Sequence, residues 1–266
     1  MENWIPNQMN RISSDWGKNV KKFYSSDYSI WSNPQEHVKA LKEDGNYYDA
    51  VIYLNWDEIT NFKTNLKVLD LGAGTGWLSA FLSQFNNISS IDVLDSDEKN
   101  LNLMLHEVVR IMGGKISKIN PILGLFQPLL VEDGHYDLIV ASSALHHADN
   151  LFSLMRELRR VLRKGGKLYI LNETPYPFTK YFIMFLKINF FILLKIFRKK
   201  ITEFEQAISA GHILYDPYLG DRTYANYQWV NAIKQAGFRY EMIPTPFFPY
   251  KKRKNQGIKI KHFFCY

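Results

Sequence analysis

Three glycines at alternate positions, Gly72, Gly74 and Gly76, follow directly on the apolar run Val68, Leu69 and Leu71. Alternate glycines let a backbone turn sharply and let a ligand approach the main chain without interference from Cβ atoms. Leu78, Phe81, Leu82 and Phe85 then recur at helical spacing. The unpaired N–H groups of the new helix therefore point at whatever the turn holds. A second feature with chemical potential is the adjacent pair His146 and His147, just past the apolar run "YDLIVASS". Imidazole changes charge near neutral pH without a large perturbation.

The glycine spacing narrows the ligand. A dinucleotide loop requires G-x-G-x-x-G, with the third glycine allowing tight packing of helix on strand. Counted from Gly72 and Gly74, that position is Trp77, and the third glycine comes one residue early. No G-K-[ST] follows, which excludes a P-loop.

These residues must be held by a framework, and the chain is long enough to supply one. Its 266 residues, 46% apolar and 22% charged, suit a globular core. The single cysteine, Cys265, excludes an internal disulfide framework or a cysteine-based zinc cluster and fits a reducing, cytoplasmic compartment. The first residues, "MENWIPNQMNRISSDW", lack the pattern of a signal peptide. Strands are predicted at "KVLDLG", "ISSIDVLD", "YDLIVASS" and "KLYILNE", with helices over 77–85, 98–112 and 151–162 between them. The last helix is expected to stop at the turn "RKGGK". Alternating strands and helices predict an α/β fold, a Rossmann-like doubly wound sheet that is mostly parallel and carries an antiparallel C-terminal strand. "FRYEMIPTPFF" and "IKIKHFFCY" would close the sheet as a hairpin.

The segment "VLDLGAGTG" resembles motif I of the class I S-adenosylmethionine-dependent methyltransferases. "IDVLDSDEKNL", "DGHYDLIVASSALHHADNL" and "LRRVLRKGGKLYIL" resemble later family segments, in order and at family spacing, over about residues 66–172. The resemblance implies S-adenosylmethionine as cofactor, with Asp70, Gly72, Ala73, Gly74, Thr75, Gly76 and Trp77 forming its cradle. It makes Asp95, in preference to Asp92, the acceptor of hydrogen bonds from the ribose hydroxyls, beside Ser96; a carboxylate can accept from both hydroxyls of a cis-diol. Ser142 is added from the fourth strand. The chain departs from the family pattern after the third strand, where Leu125 and Phe126 stand near the adenine position and Gln127 is the nearest polar side chain. The boundaries that follow are an N-terminal helical cover over 1–64, a cofactor-binding core over 65–173, an inserted lid over 174–228, and a C-terminal helix and hairpin over 229–266.

The reaction implied is in-line attack on the activated methyl group, for which alignment supplies much of the rate. A hydroxyl acceptor must also lose a proton to a nearby base. His147 matches the histidine that recurs in the family's loop, and His146 is its alternative. Glu173 would orient the acceptor or the imidazole, and His212 would reach in from the lid, where Asp216, Arg222 and Tyr224 also lie. Tyr28 and Trp31 would close over the cofactor. Asp149 and Asn150 read as a polar turn, so no metal is expected.

The late "RTYANYQWVNAIKQAGF" resembles an element of bacterial enzymes that methylate sugars, capsule or lipopolysaccharide precursors and polyketide or quinone rings. O-methylation of a sugar or phosphorylated precursor in capsule or lipopolysaccharide assembly is therefore the leading expectation. A quinone, polyketide or lipid-linked acceptor, RNA, and a non-catalytic cofactor-binding partner stay as alternatives. The net charge of +7 and the basic stretches 180–200 and 251–261 suit phosphates or an anionic surface. "YFIMFLKINFFILLKIF" is interrupted by Lys187, Asn189 and Lys195. It reads as an apolar lid or dimer helix, or as an interfacial helix at the inner face of a membrane, and not as a span.

Overall fold

The computed structural model describes residues 1–8, 32–198, 214, 220–249, 251 and 258–266. Eight strands form one sheet. They are β1 (Glu2–Asn3), β2 (Leu66–Leu71), β3 (Ile88–Asp95), β4 (Ile119–Leu123), β5 (Tyr136–Ser142), β6 (Leu162–Glu173), β7 (Tyr240–Pro244) and β8 (Lys261–Cys265). Their order across the sheet is β1-β4-β3-β2-β5-β6-β8-β7. The first six positions are parallel, and β8 runs antiparallel to both β6 and β7. The order reverses at β2, and the carboxyl ends of β2, β3, β5 and β6 surround that reversal, where open α/β sheets place their ligands.

Period-two alternation puts the two faces of the sheet into two cores. Leu69, Leu71, Ile139, Ala141, Leu168 and Ile170 face α6 (Leu151–Val161) and α8 (Asn226–Gln235), meeting Leu154, Met155, Leu158, Trp229 and Ile233. Leu66, Val68, Leu138, Val140, Tyr169 and Leu171 face α4 (Trp77–Leu82) and α5 (Leu105–Ile111), meeting Leu78, Leu82, Leu105 and Val109. Helices α1 (Pro34–Glu43), α2 (Tyr47–Ile52) and α3 (Trp56–Thr60) lie between β1 and β2 in the chain, and α7 (Phe178–Arg198) follows β6. Asn33 caps α1, its side chain accepting from the amides of Gln35 and Glu36. Among the described residues, no helix is long and apolar enough to cross a membrane.

Two local expectations are revised. The N-terminal stretch is not wholly helical: Glu2 and Asn3 pair with Ile122 and Leu123 as a parallel edge strand, and the buried Trp4 anchors them. The "RKGG" turn also lies inside β6. Helix α6 ends at Val161 and the strand begins at Leu162, so residues 163–166 loop out between the pairs Tyr136–Leu162 and Leu138–Lys167. Gly165 takes φ +80° there.

Candidate functional site

Asp70, one residue before the end of β2, is buried and accepts a 2.6 Å hydrogen bond from Ser79 Oγ. Burial outweighs that bond and pushes its carboxyl up to about 7. The glycines that follow have separable duties. All three take left-handed φ, but a Cβ on Gly76 would collide with Leu105 Cδ1, and one on Gly72 would come within 2.7 Å of Ala144 Cβ. A Cβ on Gly74 would meet nothing within 4 Å. Gly72 and Gly76 thus serve packing, whereas Gly74 keeps main chain open to an incoming ligand.

Asp95, at the end of β3, is tied to that open glycine. Its Oδ2 accepts from the Gly74 amide at 2.7 Å, and its Oδ1 accepts from the Asp97 amide at 2.8 Å. Burial still dominates, opposed by these amides and that of Ser96, and pushes the carboxyl up to about 6. Asp92 points elsewhere, accepting from Tyr136 OH at 2.9 Å and from Asn120 Nδ2 at 3.1 Å. Gln127 does not join the cradle. It is exposed, and its amide donates to Ser153 Oγ on α6 at 2.9 Å. Phe126 lies closer to the loop, its ring 3.1 Å from a Cβ placed on Gly72.

The other cradle residues are held from the N-terminal helices. Thr75 is buried, and its hydroxyl lies 2.8 Å from Nε2 of His37 on α1. Burial lowers the His37 imidazole to about 4, so it is neutral at physiological pH. Ala73 is buried, and Trp77 tilts against Tyr48 of α2 with ring centroids 6.1 Å apart. His37 escapes a sequence reading because nothing local marks it as the neighbour of a loop reached only through folding.

On the other side of the switch point, β5 and β6 deliver the titratable cluster. Ser142 Oγ accepts from Asn172 Nδ2 at 2.8 Å, and the Asn172 amide donates to Nδ1 of His262 at 3.0 Å. Glu173 is buried. Its Oε1 accepts from the Leu145 amide at 3.1 Å, and its Oε2 lies 3.0 Å from Nδ1 of His146. Asp221 Oδ1 lies 3.6 Å from Nε2 of His146 and 3.1 Å from Nδ1 of His147. The two imidazoles lean together with centroids 4.3 Å apart. Burial disfavours charge on His146, but the carboxylates on either side prevail and push its pKa up to about 10. His146 is therefore an imidazolium at neutral pH, and Asp221 is correspondingly held below the usual carboxylate range.

Asp221 is the residue that sequence reading passed over, although Arg222 and Tyr224 beside it were singled out. Those neighbours pin the strap to the histidine loop. The Arg222 amide donates to the carbonyl of His146 at 3.0 Å, its guanidinium meets Asp149 at 2.9 Å, and Tyr224 OH donates to the carbonyl of Ala148 at 3.1 Å. Donor atoms of His146, His147 and Asp221 all lie within 4.8 Å of one another. A cation could be ligated at that spacing, but the same contacts form a connected ion-pair network without one. His212, Asp216, Tyr28 and Trp31 lie outside the described residues.

The donor set fits an adenosyl sulfonium ligand: an open glycine main chain, a carboxylate tied beside it and an aromatic ring close to the loop. Residues 69–170 match a family model described as a methyltransferase domain. Among known proteins, the chain is 31% identical over 146 residues to a sarcosine/dimethylglycine N-methyltransferase of Aphanothece halophytica, covering 52% of this chain and 50% of that one. It is 29% identical over 119 residues to the ubiquinone/menaquinone biosynthesis C-methyltransferase UbiE of Shewanella oneidensis, covering 43% and 45%. The chain thus spans about half the length of these relatives. Its fold is similar to that of the YcgJ protein of Bacillus subtilis, at 13% identity and a TM-score of 0.55 over 82% of this chain and 97% of that one. A Leishmania major S-adenosylmethionine-dependent methyltransferase aligns at 13% identity and a TM-score of 0.57, over 94% and 88%. Residues 69–170 are thus similar to a methyltransferase domain, and the sheet order agrees with the fold of the solved neighbours.

Proposed function

We propose that this chain transfers the methyl group of S-adenosylmethionine to a hydroxyl of a small polar acceptor, a sugar or phosphorylated precursor of a bacterial cell-surface glycan. The observation that carries the reading is the cluster His146, His147, Glu173 and Asp221, set beside the glycine cradle through the contact of Ala144 with Gly72. The cofactor supplies an already activated methyl group, so the protein's work is alignment and proton removal. Asp95 and the Gly74 main chain would hold the adenosyl group, with Phe126 against the base. His147 would take the acceptor's proton at Nε2, with the Asp221 carboxylate 3.1 Å from its Nδ1 to stabilise the imidazolium that forms. His146, an imidazolium held between Glu173 and Asp221, would neutralise part of their charge and fix Asp221 beside His147.

The two relatives act on nitrogen and carbon by their names, so the hydroxyl acceptor rests on the proton-removing pair and on the basic character of the chain. A quinone or lipid-linked acceptor is the second reading, favoured by the apolar side chains that α7 exposes just after Glu173. Methyl-labelled S-adenosylmethionine, supplied with nucleotide sugars, sugar phosphates, quinols and glycine derivatives in parallel, tests both. Label entering a sugar hydroxyl is the expected result. Turnover of quinols or amines alone would overturn it, and cofactor binding with no transfer to any acceptor would favour a non-catalytic partner.

A further inference from the structure

Helix α7 carries an unusual distribution of side chains. Tyr181, Met184 and Ile188 turn toward the protein, and Met184 is buried. Phe178, Phe182, Phe185 and Leu186 are all exposed, Phe182 by 48% and Leu186 by 51%. Their i, i+4, i+7, i+8 spacing lines them along one face at 100° per residue, and the exposed Ile183 widens it. Isolated exposed apolar residues are ordinary, but a contiguous aromatic stripe on one helix marks a contact surface.

The charge around the stripe identifies what it contacts. Residues 174–202 contain no aspartate or glutamate, while Lys180, Lys187, Lys195, Arg198, Lys199 and Lys200 fall within them. Lys180 and Lys187 are exposed and lie at the border of the apolar stripe, where long stems can cover apolar surface while their ammonium groups reach outward. An acid-free apolar helix edged by lysines complements an interface that is apolar within and negative at its surface. A second copy of the same basic helix would bring like charges together.

We infer that α7 docks this protein on anionic lipid surfaces, lying in the plane of the interface with Phe178, Phe182, Phe185 and Leu186 inserted and the lysines at headgroup level. No helix among the described residues could cross the bilayer, so the attachment is peripheral. The inference stands independently of the acceptor's identity.

The test uses the full chain and sedimentation with vesicles of phosphatidylcholine alone or with a third phosphatidylglycerol. At least about tenfold more protein should pellet with the anionic vesicles, and the excess should fall as salt is raised. The double variant Phe182→Asp, Leu186→Asp should stay in the supernatant, with melting temperature and S-adenosylhomocysteine affinity unchanged. Lys180→Glu, Lys187→Glu should abolish the preference for anionic vesicles, a readout that fold damage would not produce alone. Equal and negligible pelleting with both vesicle types would overturn the inference. So would a stoichiometric dimer in gel filtration that Phe182→Asp, Leu186→Asp dissolves while vesicle binding is absent.

Discussion

The amide of Gly74 donates to Asp95 Oδ2 at 2.7 Å, tying the glycine loop to the end of the neighbouring strand. The loop is therefore preset by the same side chain proposed to hold the ribose, so main chain and carboxylate cannot be adjusted separately. Replacing Asp95 by alanine should cost both the ribose hydrogen bonds and the loop's anchor. Charge-assisted bonds are worth about 1.5–3 kcal/mol, so S-adenosylhomocysteine affinity measured by calorimetry should fall by at least about tenfold. Unchanged affinity would remove Asp95 from the cofactor site.

The same carboxyl gives cofactor binding a pH dependence. Burial first, then the charge of Asp97, raises Asp95 to about 6, and burial with the charge of Asp95 raises Asp70 to about 7. The ionised form of Asp95 accepts hydroxyl protons, so affinity should decline as pH falls through about 6. Asp95→Asn should flatten that profile while Asp70→Asn leaves its lower limb in place. Calorimetric titrations between pH 5 and 8 would show whether they differ.

Gly74 and Gly76 should respond oppositely to alanine. At Gly76 a Cβ meets Leu105 in addition to the strain of φ +80°, and the loss of stability should be about 2–4 kcal/mol by denaturant titration. At Gly74 only the backbone strain applies, about 1–2 kcal/mol, but the methyl group projects where the ligand must approach. Gly74→Ala should therefore remain folded and lose S-adenosylhomocysteine binding. A variant that binds normally would show that the open space is not used.

His146 should carry a charge at neutral pH. Burial opposes the charge, but Glu173 and Asp221 raise its pKa from 6.5 to about 10. A pKa raised on folding stabilises the protein fully below pH 6.5, and that contribution is lost as pH rises through about 10. The melting temperature should therefore fall more steeply between pH 7 and 10 in the parent than in His146→Gln. Ring-nitrogen chemical shifts should report an imidazolium at pH 8 that becomes neutral in Glu173→Gln. A neutral ring in the parent at that pH would contradict the arrangement.

How far the sequence carried these conclusions follows from the range of each interaction. Strands β2 and β5 and the Leu168–Leu171 part of β6 are legible because each is a short, mostly apolar and buried run, and β3 because its apolar positions lead into an acidic strand end. The cradle is legible because three glycines in five residues are a local signal. Glu2 and Asn3 make a strand too short for any periodicity, and it exists because β4 offers an open edge. Gln127 was assigned by proximity in sequence, but side-chain direction there is decided by Ser153 on a later helix. Asp221 reaches His147 only because Arg222 and Tyr224 lay the strap across the histidine loop, which no local pattern encodes.

Strand β8 lies inside the sheet, between β6 and β7, although it follows both in the chain. A ribosome making this protein therefore exposes the long edge of β6 before its partner has been synthesised. For that interval the Leu168–Ile170 stretch presents unpaired main-chain groups on an apolar strand, a template for pairing with other chains. Chaperone demand during synthesis should accordingly be concentrated in the time between emergence of Glu173 and emergence of Cys265.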